Sequence, residues 1–109
     1  MNVRRYVWQR MTAAVMAPLV LVHLAVIFYA THKGLSAADI LARTRGSVPW
    51  AIFYGLFVVA AAVHAPIGLH TVLGEWTPFG ARTRDLVAIA FGILLLGLGL
   101  RAVAAVVLP

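Results

Sequence analysis

Residues 50 to 73 read WAIFYGLFVVAAAVHAPIGLHTVL, a run without one charged side chain. A helix rises about 1.5 Å per residue, so the run extends about 36 Å, enough to cross a hydrocarbon layer of about 30 Å. Its apolar residues are continuous rather than alternating, which argues against a membrane-spanning strand. Two runs of the same character flank it, Thr12 to Thr31 and Leu86 to Leu108, and none of the three contains an acidic residue. The expected fold is therefore an all-α membrane protein with three transmembrane helices, at about 12–31, 50–73 and 86–108, in a single anchor domain spanning 1–109.

Composition agrees. The chain is 63% hydrophobic and only 11% charged, whereas a soluble domain carries about a quarter of its residues charged. A soluble enzyme is excluded on that ground. Nine basic residues against three acidic give a net charge of +6, but they sit in short clusters between apolar runs, so a nucleic-acid binder is excluded as well. The absence of cysteine removes disulfides, thiolate metal sites, iron–sulfur ligation and covalent c-type haem from this chain.

The connections are short. His32 to Pro49 is polar, and its Ser36-Ala-Ala-Asp39 has the pattern of a capping box, which predicts a short interfacial helix. Gly74 to Asp85 contains Pro78 and Gly80 as helix breakers. Arg4, Arg5 and Arg10 precede the first span and Arg82 and Arg84 lie on the same side; Lys33, Arg43, Arg45 and Arg101 lie towards the other. The cluster before the first span dominates orientation, so the N-terminus is expected in the cytoplasm. No small-x-small site precedes His32, and the first run exceeds a usual leader core, so it is expected to be a retained span.

Polar groups inside a bilayer are costly and carry a functional hypothesis by default. His23 and His64 qualify first, because neutral imidazole is a common axial ligand of haem iron. Counted from Thr12 and from Glu75, each lies eleven residues, or about 16 Å, from the same boundary, so both are expected at one level. Gly68 lies one turn beyond His64 on its face and, with Ala60 and Ala61, leaves clearance for a flat macrocycle. Small residues also serve helix packing, and His23 could equally be satisfied by a neighbouring helix. His70 is about 120° around the helix from His64 and nearer the surface, where it could meet a haem propionate or a quinone. Tyr6, Trp8, Gln9, Arg10, Glu75 and Trp76 surround the same mouth, which suits a quinone head group; an ordinary interfacial belt has the same composition. His32 reads as solvated, and Arg101 as an arginine reaching outwards along its stem.

These residues together resemble a known family. His64-Ala-Pro-Ile-Gly68 and its continuation to Glu75-Trp76 are similar to the His-x-x-x-Gly segment of cytochrome b-type membrane-anchor subunits of succinate dehydrogenase and fumarate reductase. Gln9-Arg10-Met11-Thr12-Ala13 resembles the entry to that family's first helix. The resemblance covers nearly the whole chain and implies a bundle completed by partner chains in a bacterial-type inner membrane. It implies a flavoprotein subunit and an iron–sulfur subunit on the cytoplasmic face, a second membrane-anchor chain (another subunit or a second copy), haem b, and ubiquinone or menaquinone as substrate. His64 matches the axial ligand and Arg10 the arginine of the quinone and propionate region. Trp76 stands where the family commonly has a quinone-bonding tyrosine, a departure because an indole N–H donates but does not accept. His23 instead resembles the first-helix histidine of five-helix, two-haem anchors, which makes it a possible second ligand. Three spans leave no room for a flavin site, so the chain is implied to be a subunit of the enzyme and not catalytic alone. The alternatives are a haem-free anchor of another flavoprotein dehydrogenase, a small membrane scaffold, or a transport subunit; the lack of an intramembrane carboxylate disfavours transport.

Overall fold

A computed structural model describes residues 2–109, and among them every regular element is an α-helix. The order is α1 (Val3–Lys33), α2 (Ala37–Thr44), α3 (Val48–Trp76) and α4 (Ala81–Val107). Helices α1, α3 and α4 are long and apolar enough to cross a membrane, and α2 is the short helix announced by Ser36 and Asp39. The molecule measures 48 × 23 × 23 Å, its long axis suited to a bilayer of about 40–45 Å with its head groups.

Each long helix runs past the apolar stretch that revealed it. The first begins at Val3 rather than Thr12, the second ends at Trp76 rather than Leu73, and the third begins at Ala81 rather than Leu86, though it ends at Val107, one residue short of Leu108. Hydropathy marks where a helix meets hydrocarbon, whereas its hydrogen bonds continue into head groups and water until a cap stops them. Asn2 starts α1 by accepting the Arg5 amide at 2.9 Å. Gly34, at φ +65°, ends it; its own amide and that of Leu35 return to carbonyls of the last turn. The second connection thereby shrinks to residues 77–80, with Thr77 closing α3 and Arg84 reaching back to the Phe79 carbonyl at 2.9 Å.

Helix α3 is central, packing against α1 on one side and α4 on the other. Arg5, Gln9, Thr12, Met16, Val20, His23, Val26 and Ala30 follow one another at three- and four-residue spacing along the covered face of α1, while Leu21 and Phe28 point outwards. Between Met11 and Phe28 the only polar side chains, Thr12 and His23, lie on the covered face and the outer face is apolar, the reverse of a water-soluble helix, because here the solvent is lipid. Close approach of α3 and α4 depends on two glycines. A Cβ on Gly92 would stand 2.8 Å from Pro66 Cγ, and one on Gly99 would stand 2.5 Å from Val58 Cγ1.

The first connection also finishes α4. The Thr44 hydroxyl donates to the Val106 carbonyl at 2.6 Å, and the Gly46 amide donates to the Val107 carbonyl at 2.7 Å. Both carbonyls belong to the last helical turn, where no intrahelical donor remains. Thr44 is only 2% exposed.

Candidate functional site

His64 leaves α3 towards α1, where Thr12 meets it. The Thr12 hydroxyl donates to the Trp8 carbonyl at 2.7 Å, with the Gln9 carbonyl at 3.2 Å, so its one proton is spent on the backbone. Its oxygen lies 3.2 Å from His64 Nδ1 and can only accept there. The imidazole proton is therefore on Nδ1. Nε2 keeps its lone pair and makes no hydrogen bond among the described residues. A histidine that bonds iron through one nitrogen and donates from the other has this arrangement, with the second bond fixing tautomer and ring direction.

The clearing over Gly68 is occupied. A Cβ there would stand 3.3 Å from Gln9 Nε2, so the Gln9 amide lies where the glycine leaves room. Gln9 Oε1 is buried with no hydrogen-bond partner, so nothing fixes the amide through its oxygen. The donor set of His64 fits haem iron, and a macrocycle over Gly68 requires Gln9 to swing aside.

His23 lies elsewhere. Its ring meets Tyr54 and Phe57 edge-on, with centroids 5.9 and 5.6 Å away, and it lines a cavity of about 330 Å³ with Val58, Gly99 and Val106. Its Nδ1 is buried and unpartnered. Because His64 stands beside Thr12, the eleven residues from Thr12 to His23 separate the two histidines by about 16 Å along the bundle. The expectation of a common level is thus corrected. It counted inwards from Thr12 as though that residue marked the boundary, whereas α1 begins nine residues, about two and a half turns, earlier. No single haem can take both histidines of one chain.

His70 joins all three long helices. Its Nε2 is 2.7 Å from Asp85 Oδ1 on α4, and Arg5 Nη1 on α1 is 3.3 Å from its Nδ1. Arg5 Nη2 also lies 3.6 Å from Asp85 Oδ1. A guanidinium has only donors, so Nδ1 accepts and the ring proton rests on Nε2, given to the carboxylate. The His70 side chain is 16% exposed, against 42% for Arg5 and 48% for Asp85.

Arg10 and Trp76 do not converge. Arg10 lies 5.9 Å over the Tyr6 ring on the exposed side of α1, and Trp76 is 82% exposed. His32 is exposed, as expected. Thr12, Arg5 and Asp85 are the partners that sequence reasoning missed. Thr12 was taken for a boundary, Arg5 for an orienting charge, and Asp85 for a loop residue. Residues 70 and 85 lie nearly equidistant from the turn at 77–80, and that hairpin register was the signal available. Among the described residues no three His, Asp or Glu side chains gather to hold a bare metal ion.

Compared with known families, with curated proteins and with solved structures, the chain matches none.

Proposed function

We propose that the chain is a haem b-binding membrane-anchor subunit of a succinate:quinone oxidoreductase, set in a bacterial-type inner membrane with its N-terminus in the cytoplasm. The observation that carries this reading is His64, whose Nδ1 is committed to Thr12 while its Nε2 is free to bond iron. The His-x-x-x-Gly resemblance of residues 64–68 supports it independently. Bound haem b would supply one-electron storage between an iron–sulfur partner and a membrane quinone.

The roles of the residues follow. His64 holds the iron from α3, Thr12 orients it from α1, and Gly68 leaves room on the same face once Gln9 turns away. A second axial ligand at the level of His64 comes from another chain, a partner anchor or a second copy, because His23 lies about 16 Å off. His23, with an unpartnered nitrogen beside a cavity, is the candidate ligand of a separate group nearer the α2 side. Arg10 and Trp76, exposed at the N-terminal end of the bundle, face the region where a flavoprotein and an iron–sulfur subunit dock. The chain has no dehydrogenase site of its own and acts within the complex.

The test is a reduced-minus-oxidised visible spectrum of the purified membrane complex, repeated with His64→Ala and His23→Ala. Bands of a b-type haem that disappear in His64→Ala support the reading. Partial loss in His23→Ala adds the first span to the ligand set. A wild-type complex without haem replaces the proposal with a haem-free anchor.

A further inference from the structure

His70 stands between two unlike chambers. One, of about 310 Å³, is walled by Pro66, Ile67, Ala88 and Ile89, with Arg5, His70 and Asp85 as its polar groups. The other, of about 230 Å³, is lined by Arg5, His70, Thr71, Gly74, Glu75 and Arg84, and is predominantly polar. Arg5 and His70 line both. The first has the volume of a small-ligand cleft at the lower end of the usual range, apolar with a few convergent polar groups. The second opens among charged residues at the end of the bundle.

Position along the bilayer fits the same division. His70 lies six residues from the end of α3, about 9 Å. A helix of 29 residues is about 43 Å long and overhangs a 30 Å hydrocarbon layer by about 7 Å at each end. His70 therefore sits close to the plane where hydrocarbon gives way to head groups, with its apolar chamber on the lipid side and its polar chamber towards water.

We propose that the apolar chamber receives the ring of a lipid-soluble quinone and that His70, steered by Asp85 and Arg5, delivers a proton to the carbonyl oxygen facing it. The inference rests on the reading of the chain as a quinone-linked anchor, and it places the quinone at Arg5, His70 and Asp85 rather than at Arg10 and Trp76. His70 Nε2–H now points at Asp85 and Arg5 offers further N–H groups, so an entering carbonyl finds donors already ordered. The step assigned to His70 is one proton: as the ring takes an electron from the iron–sulfur partner, the Nε2–H bond breaks and an O–H bond forms at the near oxygen. Before that bond breaks, a proton from water in the polar chamber enters at Nδ1 as Arg5 turns from it towards the quinone, so the imidazole passes from imidazolium to its neutral Nδ1–H form and later exchanges that proton with water to restore Nε2–H. Asp85 is a positioning residue that fixes the donating tautomer and stabilises positive charge on the ring during transfer.

The test uses the intact complex in lipid nanodiscs, comparing succinate-linked reduction of a short-chain ubiquinone with reduction of a phenazine dye that takes electrons before the membrane. For His70→Gln and Asp85→Asn the expected result is at least a tenfold lower kcat with quinone, unchanged dye reduction and undiminished haem bands. Asp85→Glu restores at least half of the quinone rate. Quinone turnover within twofold of wild type in both variants overturns the proposal. So does parallel loss of dye reduction, quinone reduction and haem, which would make the cluster only a tie between helices. If the wild-type complex has neither haem nor soluble partners, the parent reading fails first. The chamber is then tested alone, by ubiquinone-1 quenching of tryptophan fluorescence in the isolated full chain in phosphatidylcholine nanodiscs. Quenching lost in His70→Gln supports the site, and equal quenching in both overturns it.

Discussion

Thr12 holds His64 through a hydroxyl that has already given its proton to the Trp8 carbonyl, so the 3.2 Å contact between them runs one way, from ring to oxygen. Two backbone carbonyls of α1, those of Trp8 and Gln9, thus leave the Thr12 oxygen as an acceptor towards the imidazole on α3.

Replacing Thr12 by Val keeps the volume and removes the acceptor. Outer partners of metal-bound histidines are worth about 10–100-fold in affinity. Haem content per chain in Thr12→Val should fall on that scale at limiting haem, while Thr12→Ser retains it. The pyridine haemochrome of the purified complex measures this, and full haem content in Thr12→Val would remove Thr12 from the site.

Gly99 and Gly97 should respond in opposite directions. Alanine at Gly99 drives a Cβ against Val58, an overpacking cost of about 1–3 kcal/mol. Alanine at Gly97 meets nothing within 4 Å and gains up to about 1 kcal/mol of helix propensity. Thermal unfolding in detergent should show a lower midpoint for the first and an unchanged or higher one for the second.

Thr44→Val deletes the donor to the Val106 carbonyl and costs about 1 kcal/mol. Its effect is local, so amide exchange should quicken about fivefold in the last turn of α4 and remain unchanged in α1.

Asp39 gives a pH signature confined to α2. The Ser36 amide and hydroxyl hold its carboxyl below the ordinary value of 3.8. A depressed folded pKa means the box is fully formed above the unfolded value and is lost as pH falls through the lower, folded one. The Ser36 and Asp39 amide signals should therefore stay native-like at pH 4 and move only in stronger acid. Asp39→Asn should abolish that transition.

The three spans and the capped α2 were legible in the chain because each is a local pattern: an apolar run, or a serine three residues before an aspartate. What escaped were relations between helices. The levels of His23 and His64 depend on where α1 meets α3, and the apolar run of α1 says nothing about its covered first turns. Asp85 joined the site only once Ala81–Val107 proved to start before the apolar residues did. Arg5 looked like one of several orienting cations because its partners are 65 and 80 residues away.

From Val3 to Thr12 the first helix has no proline, no glycine and no interruption, whereas Pro18 further on cannot donate to the carbonyl of Ala14. Those first turns form a stiff rod that is held to α3 and α4 through Arg5, Gln9 and Thr12 and leaves Arg4, Tyr6 and Trp8 exposed on its outer face. A partner bound on that face would bear on Thr12 through unbroken helix, and through Thr12 on the ring of His64. At Pro18 the rod lacks one backbone hydrogen bond, so the same pull would be weaker at His23.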